Sequence, residues 1–578
     1  MAHLKGLFFI LLVCMVRCSP PEEPIQCSSS TTNCTITNSY GAFPDRSICR
    51  AGEVVYPTNE AELTAAVAKA TMRKRKMKVA TRYSHSIPKL VCPGGDDGLL
   101  ISTRFLNRIL GVDATAMTMT VESGVTLREV IDGAAKAGLA LPYTPYWWGL
   151  TIGGLLATGA HGSSLWGVGS SVHDHVVGLR IVTPAASLAE GYAKVRLVMV
   201  GHPDMDAVKV SLGVLGVISQ VTLKLQPLFK RSITNMGTSD SDLGNKAVGF
   251  GNEHEFADMT WYPSQRKVVY RMDDRISSNV SGNGRNNFIG FRSTSALTLA
   301  IVRSTEEGHE ATNNPGGKCT DSKVIVSALM MDGYGLMNDG ILFKGYPVVG
   351  YHNNLQSSGG CLDSLEDACL TVCPWDPRIK GEFFHQTTIT IGLSKVQNFI
   401  QDVQKLRDIV PNAMCGLDLY NGILIRYVKA SSAYLGKQED GLDFDISYYR
   451  SKDPTAPRLH EDILEEVEQM ALFKYGGLPH WGKNRNLAFD GVINKYGKIG
   501  EFLKVKQTYD PLGLFSSEWT DQVLGINGRA SIIKEGCALE GLCICSEDLH
   551  CAPNKGYYCR SGKVYTDARV CTRLTNSH

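Results

Sequence analysis

The sequence predicts an α+β fold divided among more than one domain, and three observations carry that prediction. The chain has 578 residues, more than one compact core accommodates. Segments with helical and strand periodicity alternate from Pro57 to Leu228. The last 42 residues hold six of the 17 cysteines among few large apolar side chains, so that stretch needs covalent staples in place of a core.

The elements follow in order. Asn59, with Glu62 three residues on, opens an amphipathic helix whose Leu63, Val67 and Ala70 share a face, and "MKVAT" reads as a buried strand. "MTMTV" follows as a strand. Thr126 and Glu129 form a capping box ahead of Val130, Ile131 and Ala134, and Gly138 ends that helix. "PDMDAVKVSL" and "GVISQVTLKLQP" supply a third helix and strand, which closes a domain at 51–230. In a second domain, 231–525, "KVVYRM", "KVIVSALMM", "QTTITIGL" and "GILIRYV" read as strands of a largely antiparallel sheet. "LSKVQNFIQDVQKLRDIV" and "RLHEDILEEVEQMALFKYG" read as helices. Residues 19–50 are an N-terminal extension and 535–578 a cysteine-rich tail.

Composition excludes some classes of partner. With 43% hydrophobic residues, 20% charged residues and a net charge of +2, nothing points to nucleic acid or an anionic membrane. The one basic run, "RKRKMK" from Arg73 to Lys78, reads as a solvated helix end. Lys5 ahead of "LFFILLVCMV" has the form of a cleaved secretory leader over 1–18, too short to span a bilayer. It directs the chain to the secretory pathway and thence outside the cell, to its wall or to the vacuole. Oxidising conditions there suit the six tail cysteines, Cys537, Cys543, Cys545, Cys551, Cys559 and Cys571, as disulfides. A zinc site is disfavoured, with only His550 nearby and no C-x-x-C pair, and no metal is expected. Asn33 and Asn279 stand in N-glycosylation sequons.

Two stretches carry candidate chemistry. In "ATRYSHSIPKLVCPGG", His85 sits between Ser84 and Ser86 after Arg82 and Tyr83; a core residue, a metal ligand, a base and an anchor are all open to it, and alone such a histidine is more often a hydrogen-bonded loop residue. The stretch from Gly149 to Pro184 has eight glycines up to Gly178 and then an apolar strand, small residues that let backbone approach a ligand. Neither a G-x-G-x-x-G fingerprint nor a Walker motif is present, so the choice between a cofactor cradle and a set of tight turns stays open.

"RYSHS", "TIGGLLATGAHGSS" and "LGVLGVISQVTLKLQP" together resemble the FAD-binding domain of the vanillyl-alcohol oxidase and p-cresol methylhydroxylase superfamily. "LPHWGKN" and "YDPLGLFSSEW" narrow the resemblance to its aldonolactone oxidoreductases, over about Ile48 to Gln522. It implies a two-part FAD domain, a substrate-binding cap and FAD bonded covalently to His85, with Arg82, Tyr83, Ser84 and Ser86 around the linkage. It also implies Gly153, Gly154, Thr158, Gly159, His161, Ser163 and Ser164 about the pyrophosphate, and Ile218 against the cofactor. Arg426 and Lys483 match the family's active-site cations. Many relatives have a glutamate where this chain has Leu424, which leaves His480 as the substitute proton acceptor. The implied reaction is oxidation of an aldonolactone such as L-gulono-1,4-lactone to the ascorbate precursor, with oxygen reduced to hydrogen peroxide. Alternatives are a lactone dehydrogenase, a broader sugar or alditol oxidase, and a non-catalytic carbohydrate-binding relative whose tail is the interaction module.

Overall fold

A computed structural model describes residues 22–38, 46, 48–81, 88–362, 364–365, 367, 369–381 and 384–574. Both predicted helix starts form as their sequences require. Asn59 Oδ1 accepts from the Glu62 N–H at 2.9 Å to cap α1 (Glu60–Met72). Thr126 and Glu129 close a reciprocal box on α2 (Leu127–Lys136).

The first domain is built on two sheets. One has the order β1-β2-β3-β5-β4, from β1 (Ile25–Ser29), β2 (Thr32–Ile36), β3 (Cys49–Val55), β4 (Met77–Ala80) and β5 (Leu99–Ser102), with β5 parallel to both β3 and β4. The N-terminal extension is therefore woven into this sheet, and disulfides Cys27–Cys34 and Cys49–Cys92 fasten it. The second sheet is antiparallel, from β6 (Ile109–Asp113), β7 (Thr118–Glu122), β8 (Val176–Pro184), β9 (Ala193–Met199) and β10 (Val217–Lys224), in the order β9-β8-β10-β7-β6. The basic run is less solvated than its composition predicts. Lys76 Nζ donates to the Gly513 carbonyl at 2.6 Å, and Lys78 is wholly buried in β4, where loss of hydration pushes its amine down to about 7.

The second domain hangs on an eight-stranded sheet. Its strands are β11 (Lys230–Ser239), β12 (Asp258–Tyr262), β13 (Lys267–Ile276), β14 (Val348–Tyr351), β15 (Phe384–Gly392), β16 (Ile423–Val428), β17 (Gly441–Tyr449) and β18 (Leu478–Pro479), in the order β14-β11-β13-β12-β16-β17-β15-β18. Every pairing is antiparallel, as the alternation suggested. Side chains point alternately to the two faces. On one face Met259, Trp261, Ile425, Tyr427 and Phe444 make a core with α3 (Leu243–Glu253), α5 (Leu393–Ile409) and α6 (Glu461–Gln469). The opposite face is polar and turns toward the first domain.

"KVIVSALMM" is not a strand: it lies in α4 (Pro315–Met331). Its β-branched residues gave a local strand signal, but Asn314 caps the helix with Pro315 at its first turn. Lys318, Ser322, Val326 and Leu329 recur at helical spacing on the buried side, and Cys319 is bonded to Cys415. After β18 the chain returns to the first domain, whose core includes Trp481, Phe489, Tyr496, Phe502 and Trp519. The tail cysteines pair among themselves as Cys537–Cys543, Cys545–Cys559 and Cys551–Cys571. The tail is docked against α6: the buried Glu466 carboxylate accepts from the N–H groups of Lys563, Val564 and Tyr565 at 2.7, 2.6 and 2.8 Å.

Candidate active site

Between the two sheets of the first domain lies a cleft with about 840 Å³ of empty space that opens to solvent. Gly153, Gly154, Thr158 and Ile218 line it, where the sequence placed cofactor contacts. Thr81 and Leu90 line it too; between them run Arg82, Tyr83, Ser84, His85 and Ser86, which lie outside the described residues. A Cβ on Gly153 would stand 3.1 Å from Ser123 Cβ and 3.2 Å from its carbonyl oxygen, so glycine permits the short helix Ile152–Ala157 to approach the turn after β7. The Ser123 hydroxyl, on the cleft wall, is buried with no partner. Small walls, apolar Val79, Leu90 and Ile218 and an unsatisfied hydroxyl suit an extended, partly aromatic cofactor such as FAD.

Gly159, at φ +69°, turns the chain after this cradle. The next residues then leave the cleft for the second domain. Ser163 Oγ accepts from the Tyr427 N–H at 2.9 Å, the Ser164 N–H donates to the Tyr427 carbonyl at 3.0 Å, and His161 is buried against β17. His161, Ser163 and Ser164, expected around the pyrophosphate, therefore stitch the glycine loop to the cap sheet. The bonds to Tyr427, near the end of β16 and past its last β12 partner, satisfy backbone groups that the crossing would otherwise strand.

The polar face they meet is set by register. Asp258 on β12 opposes Arg426 on β16, which opposes Asp443 on β17; Thr260, Leu424 and Asp445 form the next row. Residues two apart share a face, so both rows point the same way. Arg426 Nη2 lies 2.8 Å from Asp443 Oδ2 and 3.6 Å from Asp445 Oδ2, and its Nη1 donates to the His161 carbonyl at 3.3 Å. Its Nε is buried without a partner. Asp443 also accepts from Thr390 Oγ1 at 2.8 Å. Burial alone would raise the Asp443 carboxyl, but His161, Arg426 and Lys437 reverse the sign and hold it well below the usual carboxylate range. Lys437 is buried in the same cluster, and desolvation pushes its amine down to about 8 despite Asp443.

Lys483 arrives from the turn after β18, its Nζ 2.7 Å from Asp445 Oδ2. Asn484, at φ +72°, pins that turn to β15: its Oδ1 accepts from the Thr388 N–H at 2.8 Å, and its Nδ2 donates to the Thr388 and His480 carbonyls, each at 3.0 Å. Neither predicted cation is a free surface charge, since Arg426 is buried and Lys483 is paired. His480 sits 6.0 Å from His161, ring to ring, and burial pushes both imidazoles below their ordinary value. The Gly482 N–H donates to His480 Nδ1 at 3.0 Å, so the neutral ring carries its proton on Nε2. Beside Leu424 opens a second cavity, about 680 Å³, lined by Asp258, Arg271, Tyr146, Phe288 and Tyr334. The Tyr146 hydroxyl donates to Asp258 at 2.6 Å.

Asp258, Asp443, Asp445, Lys437 and Tyr146 were not singled out from sequence. The alternation in "GLDFDISYY", which puts both aspartates on one face of a strand, was the available signal for two of them.

A cofactor cleft whose glycine loop runs on to the charged side of an antiparallel cap sheet defines a two-domain FAD-dependent oxidoreductase. The "FAD binding domain" family model matches residues 51–190, and a "Solvent-stable cholesterol oxidase" shares the fold at TM-score 0.63 and 15% identity, over 88% of this chain and 100% of that one. The "D-arabinono-1,4-lactone oxidase" model matches 383–523, and the "L-gulonolactone oxidase 2-like, C-terminal domain" model matches 534–573. The chain belongs to the L-gulonolactone oxidase family: it is 61% identical to "L-gulonolactone oxidase 2" of Arabidopsis thaliana over 99% of this chain and 97% of that one. It is 63% identical to "Probable L-gulonolactone oxidase 6" of the same plant, over 96% and 92%.

Proposed function

We propose that this enzyme oxidises L-gulono-1,4-lactone or a closely related aldonolactone at a ring-adjacent secondary hydroxyl, giving the precursor that becomes ascorbate. The observation that carries this reading is the Arg426, Asp443, Asp445 and Lys483 face, to which the loop leaving the FAD cleft at Thr158 is pinned through His161 and Ser163, in a chain of this family. Bound FAD supplies a two-electron acceptor for the hydride. The chain supplies the rest. Arg426 and Lys483 set positive charge where the hydroxyl oxygen becomes more negative, and Arg426 Nε is left free to donate. His480, with its proton on Nε2, is a second donor. Asp258, Arg271 and Tyr146 offer directional partners for the remaining hydroxyls, with Phe288 walling the cavity against water.

Oxygen is the final electron acceptor in this reading, and peroxide its product. The flavin is covalently held by His85, a position whose neighbours Thr81 and Leu90 line the cleft. The chain is read as secreted and glycosylated at the exposed Asn33 and Asn279, with the seven disulfides among the described residues suited to such a compartment. No described helix is long and apolar enough to cross a membrane.

Anaerobic addition of L-gulono-1,4-lactone should bleach the yellow protein, and admitting air should restore the colour with formation of peroxide. Protein that stays yellow with every aldonolactone tried overturns the reading. Colour that returns only with an added dye makes the enzyme a dehydrogenase. Flavin fluorescence should persist on a denaturing gel and vanish in His85→Ala.

A further inference from the structure

Oxidation of a secondary hydroxyl removes a hydride from carbon and a proton from oxygen, and Leu424, at the cavity beside Arg426, can receive neither. The proton needs an acceptor that meets two conditions: spare lone pairs, and contact with the cations that steady the hydroxyl oxygen.

Most titratable groups of the cluster fail one condition. His480 Nδ1 is occupied by the Gly482 N–H, and its other nitrogen already carries the proton. His161 pairs Nδ1 with the Gly162 carbonyl at 2.9 Å and turns Nε2 toward Asp443 at 3.4 Å, with 1% of the residue exposed. Asp443 has no exposed surface and is engaged by Arg426, Thr390 and His161. Lys437 is a cation within that same group. Asp258 lines the cavity but takes the Tyr146 hydroxyl, and its nearest cation is Arg271 at 3.8 Å.

Asp445 meets both conditions. Its carboxylate is 2.7 Å from Lys483 and 3.6 Å from Arg426, so it lies between the two cations, and it is 9% exposed. Apart from Lys483, its hydrogen-bond donor is Gln386, which leaves part of a capacity of about four acceptor positions. Across the ladder on one side is Leu424, which offers no donor; on the other is Thr388, whose hydroxyl is buried without a partner. We propose that Asp445, directly opposite Leu424, is the catalytic base of this site. Resting on the oxidase reading above, the step is balanced. The hydroxyl proton passes to an Asp445 oxygen while the same carbon gives its hydride, with two electrons, to the flavin, and the carbon becomes a ketone.

The test follows anaerobic flavin reduction by L-gulono-1,4-lactone across the acidic and neutral range in the holoenzyme. Asp445→Asn should slow reduction at neutral pH by about a hundredfold or more, change lactone affinity far less, and abolish the acidic limb of the wild-type pH profile. Asp445→Glu should retain the limb. The double variant Leu424→Glu/Asp445→Asn, which moves the carboxylate one strand across, should regain about tenfold and recover a limb; this gain of function needs no assumption about how well the single variant folds. An Asp445→Asn enzyme that keeps the limb, or a limb lost in Asp258→Asn instead, overturns the assignment of Asp445 alone. A wild type that no aldonolactone reduces overturns the oxidase reading, and the assignment falls with it.

Discussion

The cofactor cleft and the charged cap face are linked by the loop that runs from Thr158 to Ser164 but are made from opposite materials. None of the described side chains lining the cleft is charged; glycines, hydroxyls and aliphatic groups do the shaping, and the backbone is the principal surface. On the cap face Arg426, Asp443 and Asp445 stand within two rows of one sheet and belong to a single hydrogen-bonded or ion-paired group with Lys483 and His161, and Lys437 is buried beside them from the connection between β16 and β17. A cleft shaped by backbone tolerates change through volume. A buried charge cluster tolerates it only if each charge keeps a partner, because an ion taken out of water and left alone costs several kcal/mol.

The largest effect should come from breaking that pairing. Arg426→Ala leaves Asp443 buried beside a hole, and should destabilise the protein by about 3–5 kcal/mol in denaturant unfolding while slowing flavin reduction by about a hundredfold or more. Unchanged stability would show that the face behaves like the cleft.

A smaller effect tests the rule from the other side. Asp418, also in the cap and wholly buried, has hydroxyl and amide partners, Ser264 and Gln265, but no cation among its hydrogen-bond partners, and burial pushes its carboxyl up to about 7. The folded chain thus keeps this proton to about pH 7 and the unfolded chain only to about pH 4, so between those values the folded state holds the extra proton and stability falls as pH rises. Asp443 has the opposite sign: its contribution is present above the ordinary carboxylate value and is lost as pH falls through and below it. Asp418→Asn should therefore gain stability over wild type above pH 7, by up to about 4 kcal/mol, and little near pH 4. Thermal melting at the two pH values reads the difference.

The smallest effect belongs to the cleft. Ser123→Ala removes a buried hydroxyl that has no partner in the protein, so the flavin-free chain should gain up to about 1 kcal/mol. The flavin should at the same time stabilise the variant less than it does wild type. Equal stabilisation by flavin in both would show that this hydroxyl does not face the cofactor.

The cleft was the more legible of the two regions. Gly153, Gly154 and Thr158 lie within one short stretch, and a local requirement for small residues leaves a local mark; the caps of α1 and α2 and the alternation of β15, β16 and β17 were readable for the same reason. "KVIVSALMM" misled because β-branched residues are a weak prior that packing of α4 overrode. For His161, Ser163 and Ser164 the motif specified a turn, and their contacts with the cap sheet on its far side left no mark in it.

By itself the sequence determined the α+β class, the glycine-rich stretch that lines the cleft and the covalent stapling of the tail, each written in neighbouring residues, and a motif marked Arg426 and Lys483 as candidate cations. Only the tertiary structure decided what those cations face. Asp258, Arg426, Asp443 and Asp445 are joined by strand register, and His161 and Lys483 reach them by a domain crossing and a pinned turn, over separations that leave no local periodicity. Charge at such distances acts through space, so its partners are set by the fold and not by the spacing of residues along the chain.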